Sequence, residues 1–161
     1  MIQRRGLLMI VAAALAACGY GVPKEKIMTA EEALSKVKAL VDATLIEIAP
    51  GAELTSDAVS GGTTCESSLT GPTGQRSYGY SFSFPVSDEA TGEQLVSKTA
   101  EFWKERGHRV TADLDDQYSP FVHTSEGGFN FDLTFARQTL SVSVGGSTPC
   151  VDPLPGDVAH P

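Results

Sequence analysis

The sequence predicts an α+β fold, in which two helices cover one face of a mostly antiparallel sheet of four or five strands. Two segments carry apolar residues at helical spacing, and several others alternate apolar with polar residues. Strands that follow one another through short turns pair antiparallel. Because an amphipathic helix must bury its apolar side, we expect both helices to pack on the same face of the sheet.

The first helix is predicted to begin at Thr29, where Thr29 and Glu32 have the spacing of a Thr-x-x-Glu capping box. Pro50-Gly51 should end it. Between these signals, apolar residues recur at roughly helical spacing: Leu34, Val37, Val41, Leu45 and Ile48. Residues 51–75 are rich in Gly, Ser and Thr without a sustained period, which predicts a long irregular connection.

The clearest strand signal is Ser77 to Phe84, where four aromatic residues alternate with small ones until Pro85. A second helix should follow from about Thr91, with Gln94 as its capping partner, and end at Gly107. Its apolar residues include an aromatic pair that indicates docking on the sheet: Leu95, Val96, Phe102 and Trp103.

Four more alternating segments complete the predicted sheet. They run over residues 108–115, 120–125, 129–135 and 140–144. Gly127-Gly128 is predicted to form the hairpin turn between the second and third of these. From Ser147 the chain is Pro-rich and should be held chiefly by Cys150.

The amino terminus has the features of a bacterial export signal over residues 1–17. Arg4 and Arg5 precede an apolar run that is much shorter than the roughly 20 residues a membrane-spanning helix needs. Leu15-Ala16-Ala17-Cys18 resembles the lipobox of bacterial lipoproteins, which implies cleavage before Cys18 and attachment of a diacylglyceryl group to its thiol. The alternative is an ordinary leader cut after Ala14-Leu15-Ala16, which would leave Cys18 as a free thiol.

Cysteine parity favours the lipid interpretation. The chain has three cysteines, so lipidation of Cys18 would leave Cys65 and Cys150 as a pair. Outside the cytoplasm a disulfide between them is the expected state. The alternative is two separate buried thiols.

Length and charge limit the organisation and the partners. Residues 18–28 should be a tether of at most about 35 Å, followed by a single domain over residues 29–161. The formal net charge of −8 becomes −10 when the two leader arginines are removed. Because so acidic a body repels phosphate, we expect no nucleic acid partner, and membrane attachment should come from the lipid alone.

A set of unspecific motifs over about the last hundred residues resembles the LppA-like lipoproteins of actinobacteria. In chain order these are Cys65, Tyr80-Ser-Phe-Ser-Phe84, Gly107-His-Arg-Val110, Gly128-Phe-Asn-Phe131, and Leu140-Ser-Val-Ser-Val144 followed by Cys150. The resemblance implies a lipoprotein on the outer side of the cell membrane. It implies no catalytic residue, cofactor or binding site.

No catalytic or metal-binding motif is present in the sequence. There is no Gly-x-Ser-x-Gly, and His108, His123 and His160 lack the spacing of zinc ligands. Asp113, Asp115 and Asp116 form an acidic cluster, but without the glycine and distal glutamate of an EF-hand they indicate a solvated strand end. We therefore expect no enzyme activity, no metal and no cofactor. An envelope hydrolase remains an alternative.

The sheet face opposite the helices is the candidate binding face. Its residues should form a flat patch of short polar side chains that could receive an envelope protein or a glycan. A second alternative is a carrier of a lipid or other hydrophobic ligand, with a cavity between the helices and the aromatic side of the sheet. If the aromatic pattern sets the register, the binding face contains Ser81, Ser83, Asp132, Thr134, Ser141 and Ser143.

Overall fold

Two helices lie on one face of a six-stranded antiparallel sheet in the computed structural model, which describes residues 28–57, 62–67, 69 and 71–157. The helices are α1 (Ala30–Ile48) and α2 (Glu89–Glu105). The strands are β1 (Thr55–Asp57), β2 (Thr63–Ser67), β3 (Gly71–Ser77), β4 (Gly79–Pro85), β5 (Val110–Asp113), β6 (Phe121–Glu126), β7 (Phe129–Ala136) and β8 (Ser141–Ser147).

The predicted fold class is confirmed, although the main sheet has more strands than the sequence indicated. Its order is β1-β4-β8-β7-β6-β5, and β2 and β3 form a separate hairpin. The prediction that residues 51–75 form an irregular connection was wrong. That segment contributes β1, β2 and β3. These strands were missed because β1 has three residues, and because β2 and β3 bury few side chains and show no apolar alternation.

The start of α1 follows the predicted capping box. The Thr29 Oγ1 accepts from the backbone N–H of Glu32 at 3.1 Å, and the Glu32 carboxylate accepts from the Thr29 N–H at 3.2 Å. The helix ends at Ile48, just before Pro50. Its buried stripe contains Ala30, Ala33, Val37, Val41, Thr44, Leu45 and Ile48.

The second helix begins earlier than predicted. Asp88, not Thr91, is the N-cap, and its carboxylate accepts from the backbone N–H of Thr91 at 2.8 Å. An aspartate is as good a cap as a threonine, so the Thr-x-x-Gln pattern selected a position one turn too late. Gly107 ends the helix as expected, in the left-handed conformation with φ +88°.

The core lies between the helices and the sheet. Trp103 of α2 is 1% exposed, and its indole N–H donates to the Thr44 hydroxyl of α1 at 2.9 Å. The helix approaches the sheet so closely that a Cβ at Gly92 would lie 2.5 Å from the Phe135 ring. The sheet side of this core is formed by Phe84, Val122, Phe131, Leu133, Phe135, Val142 and Val144.

A smaller core closes the end of the domain where α1 begins. The buried Tyr78 hydroxyl donates to the Asp157 carboxylate and accepts from the Leu154 N–H, both at 2.7 Å. Burial is the main cause of the raised pKa of Tyr78. Val151 exchanges backbone hydrogen bonds with Arg76, so the tail is held by more than Cys150 alone.

Cys65 and Cys150 form a disulfide that links the β2-β3 hairpin to the tail across 85 residues. Replacing both cysteines with alanine should lower the free energy of unfolding by about 4 kcal/mol, because the unfolded chain loses a crosslink that closes a long loop. Urea unfolding of the Cys65→Ala/Cys150→Ala variant measures this. The parent under dithiothreitol should behave like the variant, and equal stability of the oxidised parent and the variant would contradict the expected effect.

Candidate functional site

The strand register places the six candidate binding residues on one face of the sheet. Residues paired across antiparallel strands share a face. Ser83 pairs with Ser143, which pairs with Thr134 on its other side, and this forms one row across three strands. In the next row Ser81 and Asp132 flank Gly145. Ser141 lies two residues before Ser143 and faces the same way.

Both helices pack on the opposite face. Phe84, Val142 and Phe135 pair across three strands and belong to the helix-side core, whereas their sequence neighbours point away from it. Whether the polar face binds a partner remains a prediction. Its position is a consequence of the alternation in β4, β7 and β8.

The polar face is flat because its side chains are short and its strands are closely packed. The Ser83 and Ser143 hydroxyls are 2.9 Å apart and half-buried. At the centre, a Cβ on Gly145 would lie 2.8 Å from the Cβ of Ser81, so any larger residue there would push the strands apart. The hydroxyls are therefore presented as a surface and do not line a cavity.

Sequence reasoning missed several residues of this face. His123 pairs with Asp132, Phe121 pairs with Thr134, and Asn130 pairs with Ser147. The alternation in β6 could have placed Phe121 and His123 on this face, because the residue between them, Val122, is buried on the other side. The buried Thr124 weakened that pattern, because a threonine on the core side makes the strand look polar on both faces.

On the polar face, the carboxyl group of Asp132 has a raised pKa. Its side chain reaches the surface, yet the neighbouring strands displace part of its water, and this desolvation raises its pKa above the ordinary value of 3.8. The nearby charge of His123 acts in the opposite direction and lowers the pKa. The carboxylate therefore has a neighbour of opposite charge when His123 is protonated.

Of the acidic cluster, Asp113 shares this face because it pairs with Phe121, whereas the register does not place His108 there. The His108 Nδ1 lies 3.4 Å from the Glu126 carboxylate, and His160 lies outside the described residues. Asp113 and Asp116 accept backbone N–H groups in local turns. Within residues 28–157, apart from the gaps in the description, no three His, Cys, Asp or Glu side chains are close enough to hold a metal ion.

A cleft of about 440 Å³ opens between the middle of α1 and the sheet, beside the C-cap of α2. Its floor contains Phe129 and Phe131, whose rings stack with centroids 6.5 Å apart. Lys36 of α1 and Arg106 at the end of α2 provide two cations. The remaining lining residues are Ala39, Leu40, Ala43, His108 and Glu126. This cleft lies on the opposite side of the sheet from the polar face.

The residues predicted for export and anchoring lie outside the described part of the chain. These are the leader at 1–17, the attachment residue Cys18, and all of the 18–28 tether except Met28. The described region contains no helix with the length and apolar character needed to cross a membrane.

No protein-family model and no curated protein matches the chain. A similar solved structure is the crystal structure of LppA from Mycobacterium tuberculosis, which carries a provisional lipoprotein assignment. The similarity covers 80% of this chain and 82% of LppA, with 16% sequence identity and a TM-score of 0.48. No residue role passes from one protein to the other at this level.

Replacing Asp132 with asparagine should make the stability of the protein less sensitive to acid pH. A raised pKa means that ionisation is disfavoured in the folded chain, so the contribution of Asp132 to stability falls as the pH rises from 3.8 through its folded pKa. Asp132→Asn should therefore be more stable than the parent at neutral pH, and the difference should shrink below pH 3.8. Urea unfolding between pH 3 and pH 8 measures this; a difference that does not vary with pH would contradict it.

Proposed function

We propose that this chain is an exported lipoprotein, anchored through Cys18, whose domain is a noncatalytic module that binds an envelope glycan on the polar sheet face. The anchoring part rests on the leader and on Leu15-Ala16-Ala17-Cys18. The binding part rests on one observation, which is that the strand register gathers hydroxyl, carboxyl, imidazole and amide groups on a single open face.

The chemistry of the polar face favours a polyhydroxylated ligand over a protein. Protein interfaces are enriched in aromatic residues and arginine and depleted in serine. The face is rich in serine and threonine, and Phe121 is the aromatic residue that the register places in its rows. Serine hydroxyls both donate and accept, Asp132 accepts, and Asn130 does both, which suits the hydroxyl groups of a sugar.

A noncatalytic role agrees with the openness of the site. Hydrolytic chemistry needs an acid or base held against a nucleophile in a site that excludes water. His123 and Asp132 instead face each other on a flat surface, and Asp132 is exposed. We therefore assign these groups to ligand binding.

The lipid anchor is tested by metabolic labelling of cells with a clickable fatty acid. The parent should incorporate the label and fractionate with membranes, because the thiol of Cys18 is the acylated atom. Cys18→Ser should lose the label and leave the membrane fraction, whereas Cys65→Ser should keep the label. Equal labelling of the parent and Cys18→Ser would rule out this anchor.

Glycan binding is tested by cosedimentation of the mature chain with insoluble envelope polysaccharide, using Cys18→Ser as the lipid-free background. Asp132→Ala/Thr134→Ala should weaken binding roughly tenfold, since hydrogen bonds to a charged group are worth about 1.5–3 kcal/mol. Glu101→Ala, an exposed change on α2, is the matched control and should have no effect. Equal binding by all three proteins contradicts the proposal. Photocrosslinking at position 134 that captures proteins and no glycan contradicts the ligand class.

A further inference from the structure

The cleft between α1 and the sheet combines an apolar floor with cations at its rim. The stacked rings of Phe129 and Phe131 and the side chain of Leu40 provide the floor, and Ala39 and Ala43 leave room above it. Its volume of about 440 Å³ falls within the range of roughly 300–1,000 Å³ found for ligand sites. An apolar chain bound over these rings would displace water from apolar surface, and that displacement favours binding.

The charges at the rim are opposite in sign to those of the protein as a whole. The two cations are Lys36 of α1 and Arg106, the C-cap residue that follows α2. The lining carboxylate, Glu126, lies 3.4 Å from the imidazole of His108. By the same formal count that gives −8 for the whole chain, Lys36, Arg106 and Glu126 give the lining a net charge of +1.

Both cations are already held near aromatic rings. The ammonium of Lys36 lies 5.7 Å from the centroid of the Phe129 ring, and the guanidinium carbon of Arg106 lies 4.4 Å from that of Phe102. Such contacts orient the cations, and the aromatic ring excludes water from one side of each cation. An anionic group at the rim would therefore meet two positioned charges.

We infer that this cleft is a binding site for a single-chain anionic amphiphile, with the apolar chain on the Phe129 and Phe131 rings and the acidic head between Lys36 and Arg106. The inference is independent of the glycan site, because the two surfaces lie on opposite sides of the sheet. The cleft runs along the middle of α1, from Lys36 to Ala43.

The probe is dodecanoate, titrated calorimetrically into the mature chain carrying Cys18→Ser. Dodecyltrimethylammonium has the same apolar chain with a cationic head, and acetate has the same head without the chain. We expect dodecanoate to bind at least about tenfold more tightly than either comparison molecule, because only dodecanoate satisfies both the floor and the rim. Equal affinity for the two dodecyl compounds would overturn the assigned charge preference, and absence of dodecanoate binding would overturn the site.

Two variants locate the bound molecule. Lys36→Glu should weaken dodecanoate binding at least about tenfold. Lys38→Glu makes the same charge change on the same helix, outside the cleft lining, and should stay within about twofold of the parent. Ala43→Trp fills the cleft and should abolish binding, with circular dichroism to confirm that the variant folds. Equal loss for both lysine variants, or full binding by Ala43→Trp, would place dodecanoate elsewhere and overturn the proposal.

Discussion

The one-sided burial of β8 is the constraint on which the rest of the structure depends. This strand pairs with β4 on one side and β7 on the other, and its Val142 and Val144 are completely buried on the side where α1 packs. A slip of one residue in either pairing would turn those valines to water and the serines to the core. The same constraint therefore sets the core, the orientation of the polar face and the face on which α1 packs.

The two helices are tied to each other by a buried polar contact as well as by apolar packing. The indole N–H of Trp103 donates to the Thr44 hydroxyl, which in turn donates to the Leu40 carbonyl within α1. A buried indole N–H without a partner would cost free energy, so this contact favours one relative placement of the helices. The cleft with Phe129 and Phe131 at its floor is bounded by helices held in that placement.

The two proposed binding surfaces follow from the two sides of one sheet. On the outer side, the alternation of residues along the strands forms a flat surface of short polar side chains. Such a surface suits a ligand that forms many hydrogen bonds. On the inner side, Phe129 and Phe131 form the floor of an apolar cleft beside α1. The disulfide from Cys65 to Cys150 and the contacts of Tyr78 hold the tail against the end of the domain where α1 begins. Strand β7 contributes to both surfaces, with Asp132 and Thr134 on the polar face and Phe129 and Phe131 in the cleft.

The sequence by itself determined the elements whose signals are local. The Thr29–Glu32 capping box, the Gly127-Gly128 turn and the alternation in β4 and β7 depend on neighbours within a few residues, and all three are present in the structure. The cofacial position of Ser81, Ser83, Asp132, Thr134, Ser141 and Ser143 followed from the same alternation. Asp88 was missed as the cap of α2 because two capping residues lie within one turn, and packing selected between them.

Only the tertiary structure decided the features that join distant segments. Strand β1 has three residues, and β2 and β3 bury too few side chains to show a pattern in the sequence. They form because β4 pairs with β1 and because the disulfide holds the β2-β3 hairpin. The pairing of His123 with Asp132 required the β6-β7 register. The cleft brings together Lys36 of α1, Arg106 after α2 and Phe129 of β7, which are far apart in the chain and carry no shared sequence signal.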